Sequence, residues 1–132
     1  MSFTEQVTSP EVVQEAAILL VEDDAGLREA TQELIEMLGY SVVATGSARQ
    51  ARELLSLHTF RVLVADVRLD DGAGVTGVEL ANTARTLHPE IGLLLLSGKD
   101  LPGEGTELPA DAEFLRKPYD FQEFADILEA LT

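Results

Sequence analysis

Five polar side chains carry the chemistry that this sequence offers, and each stands at the end of a short apolar run. Glu22 and Asp23 follow one run, Asp66 follows another, Ser97 a third, and Lys117 closes a fourth short segment. If these runs are parallel strands of one sheet, their carboxyl ends meet at one edge, where open α/β sheets bind ligands. Three carboxylates, a hydroxyl and an ammonium would then share one site.

The three carboxylates need a cation, because two unit charges about 4 Å apart repel by roughly 4 kcal/mol at an effective dielectric constant of 20. Oxygen ligands in this number suit Mg²⁺, which usually keeps several of its waters. Lys117 adds a second positive charge, and Ser97 adds a hydroxyl that can donate to an incoming anionic oxygen. Together these groups favour phosphoryl transfer onto Asp66, which would form an aspartyl phosphate.

The elements that must position these groups alternate along the chain. Continuous apolar runs predict strands covered on both faces, at residues 17–21, 40–45, 61–65, 91–96 and 112–115. Amphipathic stretches predict helices, at residues 25–38, 48–56, 78–87 and 121–131. The alternation predicts an α/β fold with a doubly wound, five-stranded parallel sheet. The order 2-1-3-4-5, common for such sheets, would place the first and third strands side by side.

Capping residues indicate where the helices begin. Asp24 and Asp120 are predicted to cap the first and last helices, and Ser47 is predicted to cap the second in a capping box with Gln50. The last helix is expected to bury Phe121 together with the apolar residues on the same face in the following turns.

Length and charge exclude several classes of function. The chain has 132 residues, with 24 acidic and 9 basic side chains and a formal net charge of −15, which disfavours direct binding to nucleic acid or to an anionic membrane. It has no cysteine and two histidines, which excludes a disulfide scaffold, thiolate catalysis and a multi-histidine metal site. No apolar stretch is long enough to cross a membrane. We therefore expect a cytoplasmic protein with a mobile leader at residues 1–15 and one domain at residues 16–132.

Four segments, ILLVEDD, VLVADVRL, LLLLSG and FLRKPY, resemble in order and spacing the signature blocks of response regulator receiver domains of bacterial two-component signalling. The resemblance runs from about residue 17 to the C-terminus and implies the same flavodoxin-like sheet. It implies that Asp66 accepts the phosphoryl group and that Lys117 contacts it. It also implies a Mg²⁺ site whose ligands are Glu22, Asp23, Asp66 and the backbone carbonyl of Arg68.

The resemblance further implies how such a domain would act. Ser97 is the switch hydroxyl, Phe114 is the switch aromatic, and the Lys117–Pro118 peptide is expected to be cis. The phosphoryl donor would be a sensor histidine kinase or a histidine phosphotransfer protein. The receiver's own chemistry would be self-phosphorylation and autodephosphorylation only. Because the chain ends soon after the last helix, we expect a stand-alone receiver that relays phosphate or contacts a downstream protein target, with a homodimer as one option.

Two segments depart from the usual receiver pattern. Asp70 stands where a proline is usual, in a loop a few residues longer than usual. Residues 99–111, where receivers have their fourth helix, contain two prolines and two glycines. We therefore expect a short helix or a loop between the fourth and fifth strands.

Three other functions are compatible with the same alternation of strands and helices. An unphosphorylated adaptor would keep the fold without the chemistry, and the presence of all five polar groups argues against it. A phosphatase with an aspartyl nucleophile typically has a second aspartate two residues later, where this chain has Arg68. A flavin-binding domain needs a phosphate-cradling loop after the first strand, where the acidic VEDD segment would repel phosphate.

Overall fold

The computed structural model describes residues 17–69, 76–98 and 109–132. In chain order the elements are β1 (Ile18–Val21), α1 (Ala25–Met37), β2 (Val42–Thr45), α2 (Ala48–Leu57), β3 (Val62–Asp66), α3 (Gly77–Leu87), β4 (Gly92–Ser97), β5 (Glu113–Arg116) and α4 (Phe121–Leu131). The strands form one parallel sheet in the order β2-β1-β3-β4-β5, which confirms the predicted fold class.

Three sequence predictions fall on parts of the chain outside the described residues. They are the leader at residues 1–15, the loop that contains Asp70, and most of the segment between β4 and β5. Within the described ranges, no helix has the length and apolar character that a bilayer crossing requires.

The sheet is covered by helices on both faces, because its strands are apolar at successive positions. One face packs against α2 and α3 through a buried cluster that includes Leu19, Leu63, Leu93, Leu55 and Leu80. The other face packs against α1 and α4 through a cluster that includes Ile18, Val62, Leu94, Ile35 and Phe124. Full burial of one such side chain contributes about 1.5–3 kcal/mol, so the two clusters hold the strands in a fixed register.

This register brings the ends of the strands together at one edge of the sheet. Val21 pairs with Ala65, the residue before Asp66. Asp66 pairs with Leu96, and Ser97 pairs with Arg116, the residue before Lys117. The side chains at or just after the ends of β1, β3, β4 and β5 therefore converge at this edge.

The predicted N-caps of α1, α2 and α4 are confirmed, but the prediction of a capping box at α2 is wrong. Ser47 accepts a hydrogen bond from the Gln50 amide, 3.1 Å away. The Gln50 side chain does not return to the Ser47 amide; its Oε1 accepts from the Thr45 hydroxyl instead. Thr45 Oγ1 in turn accepts from the Ser47 amide at 3.1 Å. The Thr45 hydroxyl thus accepts from the Ser47 amide, the donor for which the Gln50 side chain was the predicted acceptor.

A reciprocal capping box does occur at the start of α3, one residue earlier than the predicted helix. Thr76 Oγ1 accepts from the Glu79 amide at 3.1 Å, and the Glu79 carboxylate accepts from the Thr76 amide at 3.0 Å. This box begins the helix that follows Asp66 in the chain.

We expect Thr76→Ala to lower the free energy of unfolding by about 1 kcal/mol, the usual cost of deleting a capping side chain. Urea denaturation of wild type and variant measures the difference. The control is Thr86→Ala on the same helix, where the exposed Thr86 hydroxyl donates only to the Asn82 carbonyl one turn back. Alanine there should be neutral or slightly stabilising. Equal losses in both variants would contradict a specific role for the box.

The expected burial of Phe121 is wrong. Its side chain is 47% exposed, whereas Phe124 and Leu128 are fully buried. Phe121 is the first residue of α4, so no earlier turn of the helix lies beside its side chain. The ring that covers Phe124 is instead that of Tyr119, stacked with its centroid 5.1 Å away.

Candidate functional site

Three acidic side chains meet where β1 and β3 end. One carboxylate oxygen from each of Glu22, Asp23 and Asp66 lies within 4.8 Å of the other two. Glu22 is buried, and the other two are partly buried. The adjacency of β1 and β3 explains the convergence, because both chains turn away from the sheet at the same level. The predicted acidic cluster therefore forms as the sequence indicated.

Lys117 joins this cluster from the end of β5. Its Nζ donates to Asp66 Oδ2 at 2.7 Å and to Glu22 Oε1 at 3.1 Å. The backbone holds it there, because the Lys117 amide donates to the Ser97 carbonyl at 2.7 Å. The Lys117–Pro118 peptide is cis, as the resemblance implied.

Burial and charge determine the protonation of Glu22 and Lys117. Burial raises the pKa of Glu22, although the hydrogen bonds from the Asp24 amide and from Lys117 offset part of the rise. Burial alone would lower the pKa of Lys117, but the hydrogen bonds to Asp66 and Glu22 outweigh it and raise that pKa. The ammonium therefore stays charged at neutral pH and remains a permanent counter-ion for the acids.

A small cavity opens over Asp66. Its volume is about 210 Å³, and its walls are Asp66, Val67, Arg68, Ser97, Gly98 and Lys117. Ser97 is buried at the end of β4. The Arg68 amide donates to Asp66 Oδ1 at 3.1 Å, so the backbone after the aspartate orients its carboxylate. Asp66, Ser97 and Lys117 thus share one cavity, while a role for the Arg68 carbonyl remains a prediction.

The predicted switch aromatic lies outside this cavity. Phe114 is partly buried in β5 and packs against the cluster under α2 and α3. Its role in a switch remains a prediction.

The site also depends on a glycine that sequence reasoning missed. A Cβ atom built on Gly77 would lie 1.9 Å from the Asp66 carbonyl oxygen and 3.0 Å from Val67 Cα. The Gly77 amide donates to the Val67 carbonyl at 2.9 Å. The first residue of α3 therefore rests directly on the backbone that carries Asp66. A glycine after a threonine N-cap was the available signal.

The donor set fits Mg²⁺. Carboxylate oxygens are the ligands that this ion prefers, and it is usually held by one or two carboxylates together with waters. The Lys117 ammonium offsets one of the three acidic charges, and a divalent cation would offset the other two. Glu22, Asp23 and Asp66 are the residues that would hold it.

Comparison with known proteins identifies the family of this chain. The sequence model of the family described as Response regulator receiver domain matches residues 18–129. Response regulator protein FleR of Pseudomonas aeruginosa is 30% identical over 115 residues, which are 86% of this chain and 24% of that protein. Nodulation protein W of Bradyrhizobium diazoefficiens is 32% identical over 124 residues, which are 92% of this chain and 53% of that protein. The chain thus spans from about a quarter to about half of these relatives.

A solved structure shows the same fold. The crystal structure of a response regulator receiver protein from Sinorhizobium medicae superposes with a TM-score of 0.81 at 24% identity, covering 90% of this chain and 95% of that one. Since the family match spans most of the chain and the sheet order and acidic cluster agree with it, this chain belongs to the response regulator receiver domains of bacterial two-component systems.

Proposed function

We propose that Asp66 accepts a phosphoryl group from a phosphohistidine of a sensor kinase or a histidine phosphotransfer protein, in a Mg²⁺-dependent reaction. The observation that supports this best is the contact between Asp66 Oδ2 and Lys117 Nζ at 2.7 Å, in a cavity that Ser97 also lines. This carboxylate has a cation beside it and an opening in front of it, which is what a nucleophile for phosphate needs.

The transfer exchanges one bond to phosphorus for another. A carboxylate oxygen of Asp66 forms a bond to the phosphorus atom, and the bond between phosphorus and the donor's imidazole nitrogen breaks. The electron pair of that bond stays with its nitrogen, and the imidazole leaves as neutral histidine because its other ring nitrogen carries a proton. Bound Mg²⁺ would supply charge neutralisation for the phosphoryl oxygens.

The residues around Asp66 have separate roles in this proposal. Lys117 moves its hydrogen bond from the Asp66 carboxylate to a phosphoryl oxygen, and the Ser97 hydroxyl donates to another. The movement of Ser97 toward the phosphate lets Phe114 repack, which shifts the population toward an active conformation. A downstream protein would read that conformation, or a second histidine would take the phosphate onward. The protein would do this in the cytoplasm, with no catalysis beyond its own phosphorylation and dephosphorylation.

Incubation with acetyl phosphate and Mg²⁺, followed by intact-mass measurement, tests the proposal. We expect the wild-type protein to gain the mass of one phosphoryl group, and we expect a chelator to prevent it. Asp66→Ala should gain nothing. Asp111→Asn is the matched control, because this exposed aspartate precedes β5 at the opposite edge of the sheet, and it should be phosphorylated like wild type.

The other outcomes separate the remaining functions. An unmodified wild-type protein would contradict the proposal and favour an adaptor that has kept the fold. An adduct that survives Asp66→Ala would show that the nucleophile is another residue. Turnover of a phosphate ester into product, rather than a stable adduct, would favour a phosphatase.

A further inference from the structure

The backbone of Glu22, the first of the two acidic residues after β1, is hydrogen-bonded through both its N–H and its carbonyl group. The Glu22 amide donates to the Thr45 carbonyl at 3.0 Å, which extends the β1–β2 ladder by one residue. The Glu22 carbonyl accepts from Arg28 Nη1 at 2.9 Å. Arg28 lies in the first turns of α1, six residues later in the chain. Its long side chain therefore reaches back across the turn that carries the acids.

Gly46 provides the space for this contact. A Cβ atom built on Gly46 would lie 2.4 Å from Arg28 Nη1, 3.3 Å from its Cζ and 3.4 Å from the Glu22 carbonyl oxygen. The guanidinium therefore lies directly against the backbone of the first residue after β2. Three separate parts of the chain meet here, namely the end of β1, helix α1 and the turn after β2.

We propose that Arg28, lying on Gly46, is a positioning residue for the metal site. The Glu22 carbonyl and the Asp23 amide belong to one peptide plane, so a bond to that carbonyl fixes the rotation of the plane. The rotation in turn sets the directions in which the Glu22 and Asp23 side chains leave the backbone. This inference rests on the proposed Mg²⁺ function of these acids.

Mg²⁺ makes the position of the acids matter. The ion requires near-ideal octahedral geometry, and residues that orient metal ligands typically change metal affinity by about 10–100-fold when they are replaced. A guanidinium bonded to a carbonyl is a charge-assisted donor, which is stronger than a neutral one. The Glu22 carboxylate also accepts from the Asp24 amide at 3.2 Å, so the turn is held on both its backbone and its side chain.

The sign of the effect separates positioning from simple electrostatics. A positive charge near the acids repels Mg²⁺, so its removal by Arg28→Met should strengthen binding if charge were all that mattered. Loss of positioning should weaken binding instead. We expect the Mg²⁺ affinity of Arg28→Met, measured by calorimetric titration, to fall by about tenfold or more.

Arg85→Met is the matched control for this experiment. Arg85 also donates to a backbone carbonyl, that of Ile91, at 2.8 Å. It lies near the start of β4, at the edge of the sheet away from the acids. The substitution removes the same charge, a similar hydrogen bond and an ion pair with Asp111. It should therefore cost stability and leave Mg²⁺ affinity unchanged.

Gly46→Ala provides an independent test. Its Cβ would displace the end of a flexible side chain rather than backbone, so we expect a small loss of stability. It should nevertheless weaken Mg²⁺ binding about as much as Arg28→Met does. The double variant should be no worse than either single variant, because both remove the same contact.

Unchanged or tighter Mg²⁺ binding by Arg28→Met would overturn the inference, as would equal weakening in Arg85→Met. If the wild-type protein binds no Mg²⁺, the proposed function fails. The effect of the contact between Arg28 and the Glu22 carbonyl can still be measured without the metal. Hydrogen exchange at the Asp24 amide, whose acceptor is the Glu22 carboxylate, should then be faster in Arg28→Met than in wild type. Unchanged exchange would show that Arg28 does not order the turn.

Discussion

Gly77→Ala should lower the free energy of unfolding by about 2–3 kcal/mol and reduce the rate of phosphorylation by about 100-fold. The added Cβ would stand 1.9 Å from the Asp66 carbonyl oxygen, and the atoms that it meets are all backbone. Helix α3 or the end of β3 has to move, and either movement shifts the proposed nucleophile. Urea denaturation and the rate of modification by acetyl phosphate measure the two effects.

Gly26→Ala is the control for this substitution. Gly26 lies in the first turn of α1, and a Cβ there would meet only the Asp24 side chain, at an ordinary 3.5 Å. Alanine should stabilise that helix by about 0.5–1 kcal/mol. A Gly77→Ala variant with wild-type stability and rate would show that α3 can retreat without moving Asp66.

Lys117→Met should lower the free energy of unfolding by about 2–4 kcal/mol in the presence of a chelator. The Lys117 ammonium bonds to both the Glu22 and the Asp66 carboxylate, and the substitution removes it. The exposed fraction of the side chain is 3% for Glu22 and 14% for Asp66, so water replaces little of the lost contact. Mg²⁺ should restore much of the loss, because an ion that binds only the folded state stabilises it. Phosphorylation should stay slow, because the phosphoryl oxygen would still lack its ammonium partner.

The same variant should show a defined pH dependence. Burial raises the pKa of Glu22 in the folded protein, so folding favours its protonated form. Without the Lys117 ammonium this preference grows, and the stability deficit should increase as pH rises from the ordinary pKa of Glu22 through its raised value. The deficit should shrink in more acidic solution, where the neutral carboxyl needs no counter-ion.

Arg116→Met is the matched control, because Arg116 is the exposed neighbour of Lys117 and carries the same charge. Its substitution should change stability by no more than about 0.5 kcal/mol. A chelated Lys117→Met variant as stable as Arg116→Met would contradict the role of Lys117 as counter-ion to the acids.

The sheet and the acidic cluster could be predicted because both are encoded locally. Apolar runs of strand length mark the strands, and the polar residue after each run lies at the carboxyl edge whatever the loops do. Glu22, Asp66 and Lys117 were therefore predictable from their places after those runs. Only the adjacency of β1 and β3 needed a further assumption, the usual strand order for sheets of this kind.

The missed features depend on contacts between parts of the chain that are distant in sequence or involve backbone atoms. Gly77 is one of several glycines after Asp66, and only its place after a threonine N-cap distinguishes it from the others in the sequence. The acceptor of Arg28 is a carbonyl oxygen, which every residue has. Tyr119 took the place expected of Phe121 because helical periodicity does not extend to the residues before a helix.

The hydrogen bond from the Gly77 amide to the Val67 carbonyl closes the loop that follows Asp66. This bond fixes the two ends of the loop to each other. Closure of a longer flexible loop costs only about 0.6 kcal/mol for each doubling of its length. In evolutionary terms, insertions and deletions can accumulate in this stretch while Asp66 keeps its place. The extra length that the resemblance implies for the DDGAGVTG segment is therefore compatible with an intact site.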